Sequence, residues 1–159
     1  MMIWSATRLR LHWLAVLLPL ACTAADGVPM SGKADCRFEV PGGWPGADVR
    51  WTGPCKAGRA EGRGVLRQFN AGRVQRLYFG SLVAGHLSLG VIEQDDGYVA
   101  GQFAAAKVVA GADRNMLIKA FDEASAAANA VAENYRREGN LASAKYYQER
   151  AKQLAEQLD

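Results

Sequence analysis

The sequence holds few of the residues that most often do chemistry. Two histidines and three cysteines occur in 159 residues, and neither an HExxH nor a GxSxG pattern is present. His12 lies in the leading apolar stretch, which leaves His86 as the one candidate general base. It follows Gly85 and reads as a surface or turn residue. No CxxC pair exists, so the usual redox motif and a thiolate metal site are both missing. Long apolar runs are scarce too. The run from Trp13 to Leu18 is shorter than the roughly 20 residues a membrane-spanning helix needs.

Acidic residues are absent before Asp26, whereas Arg8 and Arg10 precede the apolar run and Pro19 and small residues follow it. That plan predicts a secretory signal over residues 1–25, cleaved after Ala24 or Ala25. Acylation at Ala21-Cys22 is the alternative, with Pro19 standing where such sites carry leucine. The expected location is periplasmic or secreted, or lipid-anchored through Cys22. Without Arg8 and Arg10, the 19 basic residues fall to 17 against 16 acidic. The pI of 8.9 therefore overstates any attraction to nucleic acid, which is not an expected partner. Cys36 and Cys55 remain in a compartment where disulfides persist. A bond between them closes a loop of about 20 residues, and loop-closure entropy gives it roughly 3 kcal/mol.

Three regimes follow the signal. Residues 26–48 are rich in Gly and Pro and read as an irregular leading segment tied down by Cys36. Residues 49–110 carry aromatic or β-branched runs punctuated by "NAG" (70–72) and "DDG" (95–97), which signal hairpin turns. Residues 111–159 change period. Leu117, Phe121, Ala124, Ala128, Val131 and Tyr135 draw one apolar helical stripe, and Leu141, Ala144, Tyr147, Ala151, Leu154 and Leu158 draw a second. Asp113 is the expected N-cap and Gly139 the stop, so the two helices should fold back on each other. The expected class is α+β: a short antiparallel hairpin sheet followed by a two-helix hairpin.

The middle region repeats itself. Trp51-x-Gly53, then Gly58, leads to Gly62-x-Gly64. Tyr78-x-Gly80, then Gly85, leads at the same offsets to Leu89 and Val91, so the second half has decayed. A fainter copy starts at Val99-x-Gly101-x-Phe103. This pattern resembles the MORN (membrane occupation and recognition nexus) repeat, strongest over Trp51 to Leu66. The resemblance implies stacked hairpins in an elongated, twisted sheet, and the cysteines before and inside the first unit resemble a bacterial exported variety. "AENYRREGNLASAKYYQERAKQL" is similar to a single tetratricopeptide unit through Tyr135, Gly139-Asn140-Leu141, Ala144 and Ala151. The residues themselves give a physical reason for stacking: a lone hairpin is marginal in water, and an aromatic can lie over a glycine that has no side chain. The disulfide is expected to fasten one edge of the array and the helices to cover the other.

Carboxylate pairs offer no better chemistry. Glu93, Asp95 and Asp96 form a turn sequence, Glu61 sits inside the first repeat, and the spaced ligands of an EF-hand are missing. No catalytic residue, metal ligand or cofactor is assigned. The remaining feature is a run of cations, Arg50, Lys56, Arg59, Arg63, Arg67, Arg73 and Arg76, offset between Arg50 and Arg76 only by Glu61. A basic ribbon on one strand face suits an anionic partner. The expectation is a non-enzymatic binding or scaffold module of the bacterial envelope with a protein partner. The alternative is a surface-attached module binding anionic lipid or cell-wall polymer through the ribbon; an enzyme comes third, and homo-oligomerisation stays open.

Overall fold

The computed structural model describes residues 28–45 and 48–158. The expected signal over 1–25, with His12 and Cys22, lies outside them. The described chain is α+β. Its strands are β1 (Met30–Lys33), β2 (Cys36–Glu39), β3 (Val49–Thr52), β4 (Cys55–Lys56), β5 (Gly58–Ala60), β6 (Gly62–Asn70), β7 (Arg73–Val83), β8 (His86–Gln94), β9 (Gly97–Ala104) and β10 (Lys107–Val108). Helices α1 (Arg114–Arg137) and α2 (Leu141–Ala155) follow.

Strands β10-β9-β8-β7-β6-β3 form a six-stranded antiparallel sheet, and β1-β2-β5-β4 form a smaller one. The segment expected to be irregular therefore contains a hairpin, β1–β2, which also pairs in parallel with β5. Glycine and proline content hid it, because the strands are short and Gly32 sits inside one of them.

Alternation along the long strands sorts their residues onto two faces. Val65, Leu77, Phe79 and Val91 pack against Ala120, Phe121, Ala124, Ala128 and Val131 of α1 and Tyr147, Ala151 and Leu154 of α2. Leu66, Tyr78, Leu82, Leu87, Ile92 and Phe103 face the other way and meet Phe38, Trp44 and Ala60. The helices thus lie across a face of the sheet and do not cap its far edge as the sequence suggested. The physical reason is area, since a face lined by Val65, Phe79 and Val91 removes far more apolar surface from water than an edge does.

On the face away from the helices, Gly64, Gly80, Gly90 and Gly101 stand in direct register across β6, β7, β8 and β9. The aromatics lie over this row. A Cβ on Gly64 would sit 2.5 Å from Trp51 Cη2, one on Gly80 2.6 Å from Tyr78 Oη, and one on Gly90 2.9 Å from Tyr78 Cε2. Trp51 likewise covers Gly53. The second unit has kept its distal glycine, displaced by one residue from the expected Val91 to Gly90. A two-residue turn and a register shift between Gly80 and Leu82 replace the excursion through β4 and β5 that the first unit makes.

The helical signals act as the stripe implied. Asp113 Oδ1 accepts from Met116 N at 2.8 Å and starts α1; Gly139, at φ 78°, follows its end; Asn140 Oδ1 accepts from Ser143 N at 3.1 Å and starts α2. Alanines along α1 let the helices approach closely enough for Ser125 Oγ to donate to Ala151 O at 2.8 Å.

Candidate functional site

Cys36 and Cys55 are joined in a disulfide with their Cα atoms 5.5 Å apart. They lie on β2 and β4, the two strands flanking β5, so the bond spans the small sheet. A second fastening is backbone. The β7–β8 turn inserts Gly85 between the sheets, where its N–H donates to Ala60 O at 2.8 Å and its carbonyl accepts from Glu39 N at 2.7 Å. A side chain at Gly85, whose φ is +85°, would strike Met30 Cε and Arg37 O. Gly58 and Gly62 also have positive φ, at 75° and 79°, and lie at the ends of the β5 excursion.

Carboxylates complete this junction. Glu61 Oε2 accepts from Ala84 N at 2.7 Å. Glu39, 1% exposed, accepts from Leu87 N through Oε2 at 2.9 Å, while its Oε1 lies 3.7 Å from His86 Nδ1. Sequence reading missed Glu39; its one signal is a charge between Phe38 and Val40 on a short strand. His86 opens β8 with an exposed ring. Glu93 is drawn into an ion pair with Arg150, and Asp95 and Asp96 are exposed at the β8–β9 turn. Among the described residues, no three His, Cys, Asp or Glu side chains converge as a metal would require.

The seven expected cations do not form one ribbon. Arg63, Arg67 and Arg50 lie on the helix-side face, because β6 residues 63 and 67 alternate with Gly64 and Leu66, and Arg50 pairs with Arg67 across β3 and β6. Arg76 pairs with Gln68 on the opposite face and donates to Gly43 O at 3.2 Å. Lys56 and Arg59 face each other in the small sheet, and Arg73 stands at the tip of the β6–β7 hairpin. The β-bulge at Gln68/Phe69 and the turn into β4 divide what the sequence places in one run.

Three arginines of the helix-side face repay closer attention. Arg63 closes its Nε/Nη2 fork on Glu123 of α1 at 3.0 and 2.9 Å, and that hydrogen bond, followed by the charge, raises its pKa. Arg50 closes the same fork on Asp48 at 2.9 and 3.2 Å. Arg67 donates through Nη2 to Thr52 Oγ1 at 3.0 Å, and its Nε is buried without an acceptor. The ring of Phe69 lies 4.4 Å from the Arg50 guanidinium carbon and 5.6 Å from that of Arg67. Tyr147 stands beside Arg67. Burial pushes its phenol up to about 12, and the charge of Arg67 and a hydrogen bond from it oppose that rise.

Arg67 also joins two concavities. A cleft of about 530 Å³ lies beside the disulfide, lined by Phe38, Arg50, Trp51, Cys55 and Arg67 among others. A groove of about 360 Å³ runs between β7 and the start of α2, lined by Arg67, Val74, Leu77, Ala142, Tyr146 and Tyr147 among others. The first of them opens along β3, the terminal strand of the large sheet, and among the described residues no strand pairs with its outer edge. Aromatic and arginine side chains around an open edge are suited to gripping a polypeptide. Comparison with protein-family models, with curated proteins and with solved structures finds no match to this chain.

Proposed function

We propose that the chain is a non-enzymatic binding module of the cell envelope that engages a protein partner along the outer edge of β3. The observation that carries this reading is the open strand β3 along one concavity, which shares Arg67 with a second, apolar groove. A partner strand laid on β3 would satisfy its free backbone groups, while the groove would take side chains. The disulfide supports export to an oxidising compartment. The placement of Trp51 and Tyr78 over paired glycines supports reading their units as MORN-like hairpins stacked in one sheet.

Photo-crosslinking in intact cells tests the proposal. Val74, 44% exposed in the groove, and Val83, 56% exposed elsewhere, are replaced in turn by a photoreactive residue. A discrete adduct from position 74 and none from position 83 is expected. The monomer alone at both positions, or the same adducts from both, would reject the β3 edge as the binding surface.

A further inference from the structure

We infer that the Arg67 guanidinium is the receptor for a carboxylate of the partner peptide, seated next to an apolar side chain in the groove under α2. This rests on the binding-module reading and adds the chemistry by which the partner is recognised.

Three arginines on one face present the same Nε/Nη2 fork. On the helix-side face Arg63 and Arg50 each close Nε and Nη2 on a carboxylate, Glu123 and Asp48. Arg67 presents the same two atoms, yet its neighbours are neutral hydroxyls: Thr52 Oγ1 accepts from Nη2, the Tyr147 phenol lies against the guanidinium, and Nε has no acceptor. Among the described residues no carboxylate lies within ion-pair distance of it. A buried N–H of a charged group left without an acceptor is costly, and a carboxylate in the fork would recover that cost.

Register adds an independent point. Arg50 and Arg67 are directly opposed on neighbouring strands, an arrangement that is destabilising for like charges unless an anion is shared. Asp48 compensates one of the two, so a single positive charge is left over. That balance suits a singly charged carboxylate better than a dianionic phosphate. The lining decides what accompanies it. Val74, Leu77, Tyr146 and Tyr147 present an apolar wall with Val74 and Tyr146 exposed, which fits an aliphatic side chain beside the anion. Thr52 Oγ1 already holds Nη2 and must yield it for the fork to close on an incoming carboxylate. Thr52 is then a positioning residue that holds the fork ready while the site is free.

The test uses the purified, oxidised protein and follows the backbone amide resonances of Thr52, Val74 and Leu77 by NMR during titration with small probes, together with the Arg67 Nε–H resonance wherever Arg67 is present. N-acetyl-leucine against N-acetyl-leucinamide reports a chain-terminal carboxylate, and N-acetyl-Leu-Glu-amide against N-acetyl-Leu-Gln-amide reports a side-chain one. One carboxylate probe is expected to bind at least about tenfold more tightly than its neutral partner. Arg67→Gln and Arg67→Lys should both lose about tenfold, the lysine variant because it keeps the charge without the fork. Thr52→Ala should tighten binding by about two- to fivefold, as no hydroxyl competes. Arg63→Gln should leave it unchanged. Circular dichroism verifies that each variant is folded. Equal binding of neutral probes, tighter binding of inorganic phosphate, or undiminished binding by the folded Arg67→Lys chain would overturn the inference. A partner still crosslinked from position 74 in Arg67→Gln would sink the carboxylate and leave the binding module standing. Probe binding without any adduct in cells would do the reverse.

Discussion

At the scale of single residues, the glycine row is the most exacting feature. Gly80 has backbone of Leu89 and the hydroxyl of Tyr78 where a Cβ would go, and Tyr78 Oη is held there by donation to Ser81 O at 2.9 Å. Neither neighbour can yield cheaply. Gly80→Ala is expected to lower the unfolding free energy by about 1–3 kcal/mol in urea titration; a loss under about 0.5 kcal/mol would show that the ring is not fixed over the row. The tyrosines make a second demand. Burial raises the phenol of Tyr147 to about 12 and that of Tyr78 further. Because both values rise on folding, their contribution is complete below the unfolded value near 10 and is lost as pH climbs through the folded one. Stability measured between pH 9 and 12 should fall, and Tyr147→Phe should flatten that fall. Most of the row was legible. Gly64, Gly80 and Gly101 stand at the repeat's spacing, but Gly90 stands one residue off the expected offset, and only strand register reveals it.

At the scale of elements, two hairpins turn where Asn or Asp stands near glycine, β6–β7 inside "NAG" with φ of 48° and 77° at Ala71-Gly72 and β8–β9 inside "DDG". Two more turn without either residue, on Ala84-Gly85 with φ of 49° and 85° and on Ala105-Ala106 with φ of 47° and 64°. Positive φ at both central residues is the mark of the turn that matches strand twist, and alanine tolerates it poorly. Ala105→Asn, at an exposed turn, should stabilise the protein by about 0.5–1 kcal/mol in thermal or urea unfolding. The helices were legible almost to the residue because Asp113, Gly139 and Asn140 act locally. Hairpin β1–β2 was not, since its strands are four residues long, Gly32 interrupts one of them, and Ala34-Asp35 turns the chain without a glycine.

At the scale of the molecule, one six-stranded sheet carries two coverings of different kinds. The helices bury one face through a broad apolar core, while the small sheet meets the other and is fastened at its own strands by the disulfide and at the β7–β8 turn by Gly85. This leaves β3 open at the corner where the two concavities meet. Composition could not place that corner, because the seven cations look like one run until the bulge and the β4–β5 excursion distribute them over different surfaces. The partner is expected to lie along β3. With the crosslinked partner purified, amide hydrogen exchange of Val49–Thr52 tests it directly, with Lys107–Val108 on the opposite edge strand as the internal reference. Slower exchange at Val49–Thr52 alone on addition of the partner is the expected result. Protection confined to the β10 edge, or none at β3, would contradict the account.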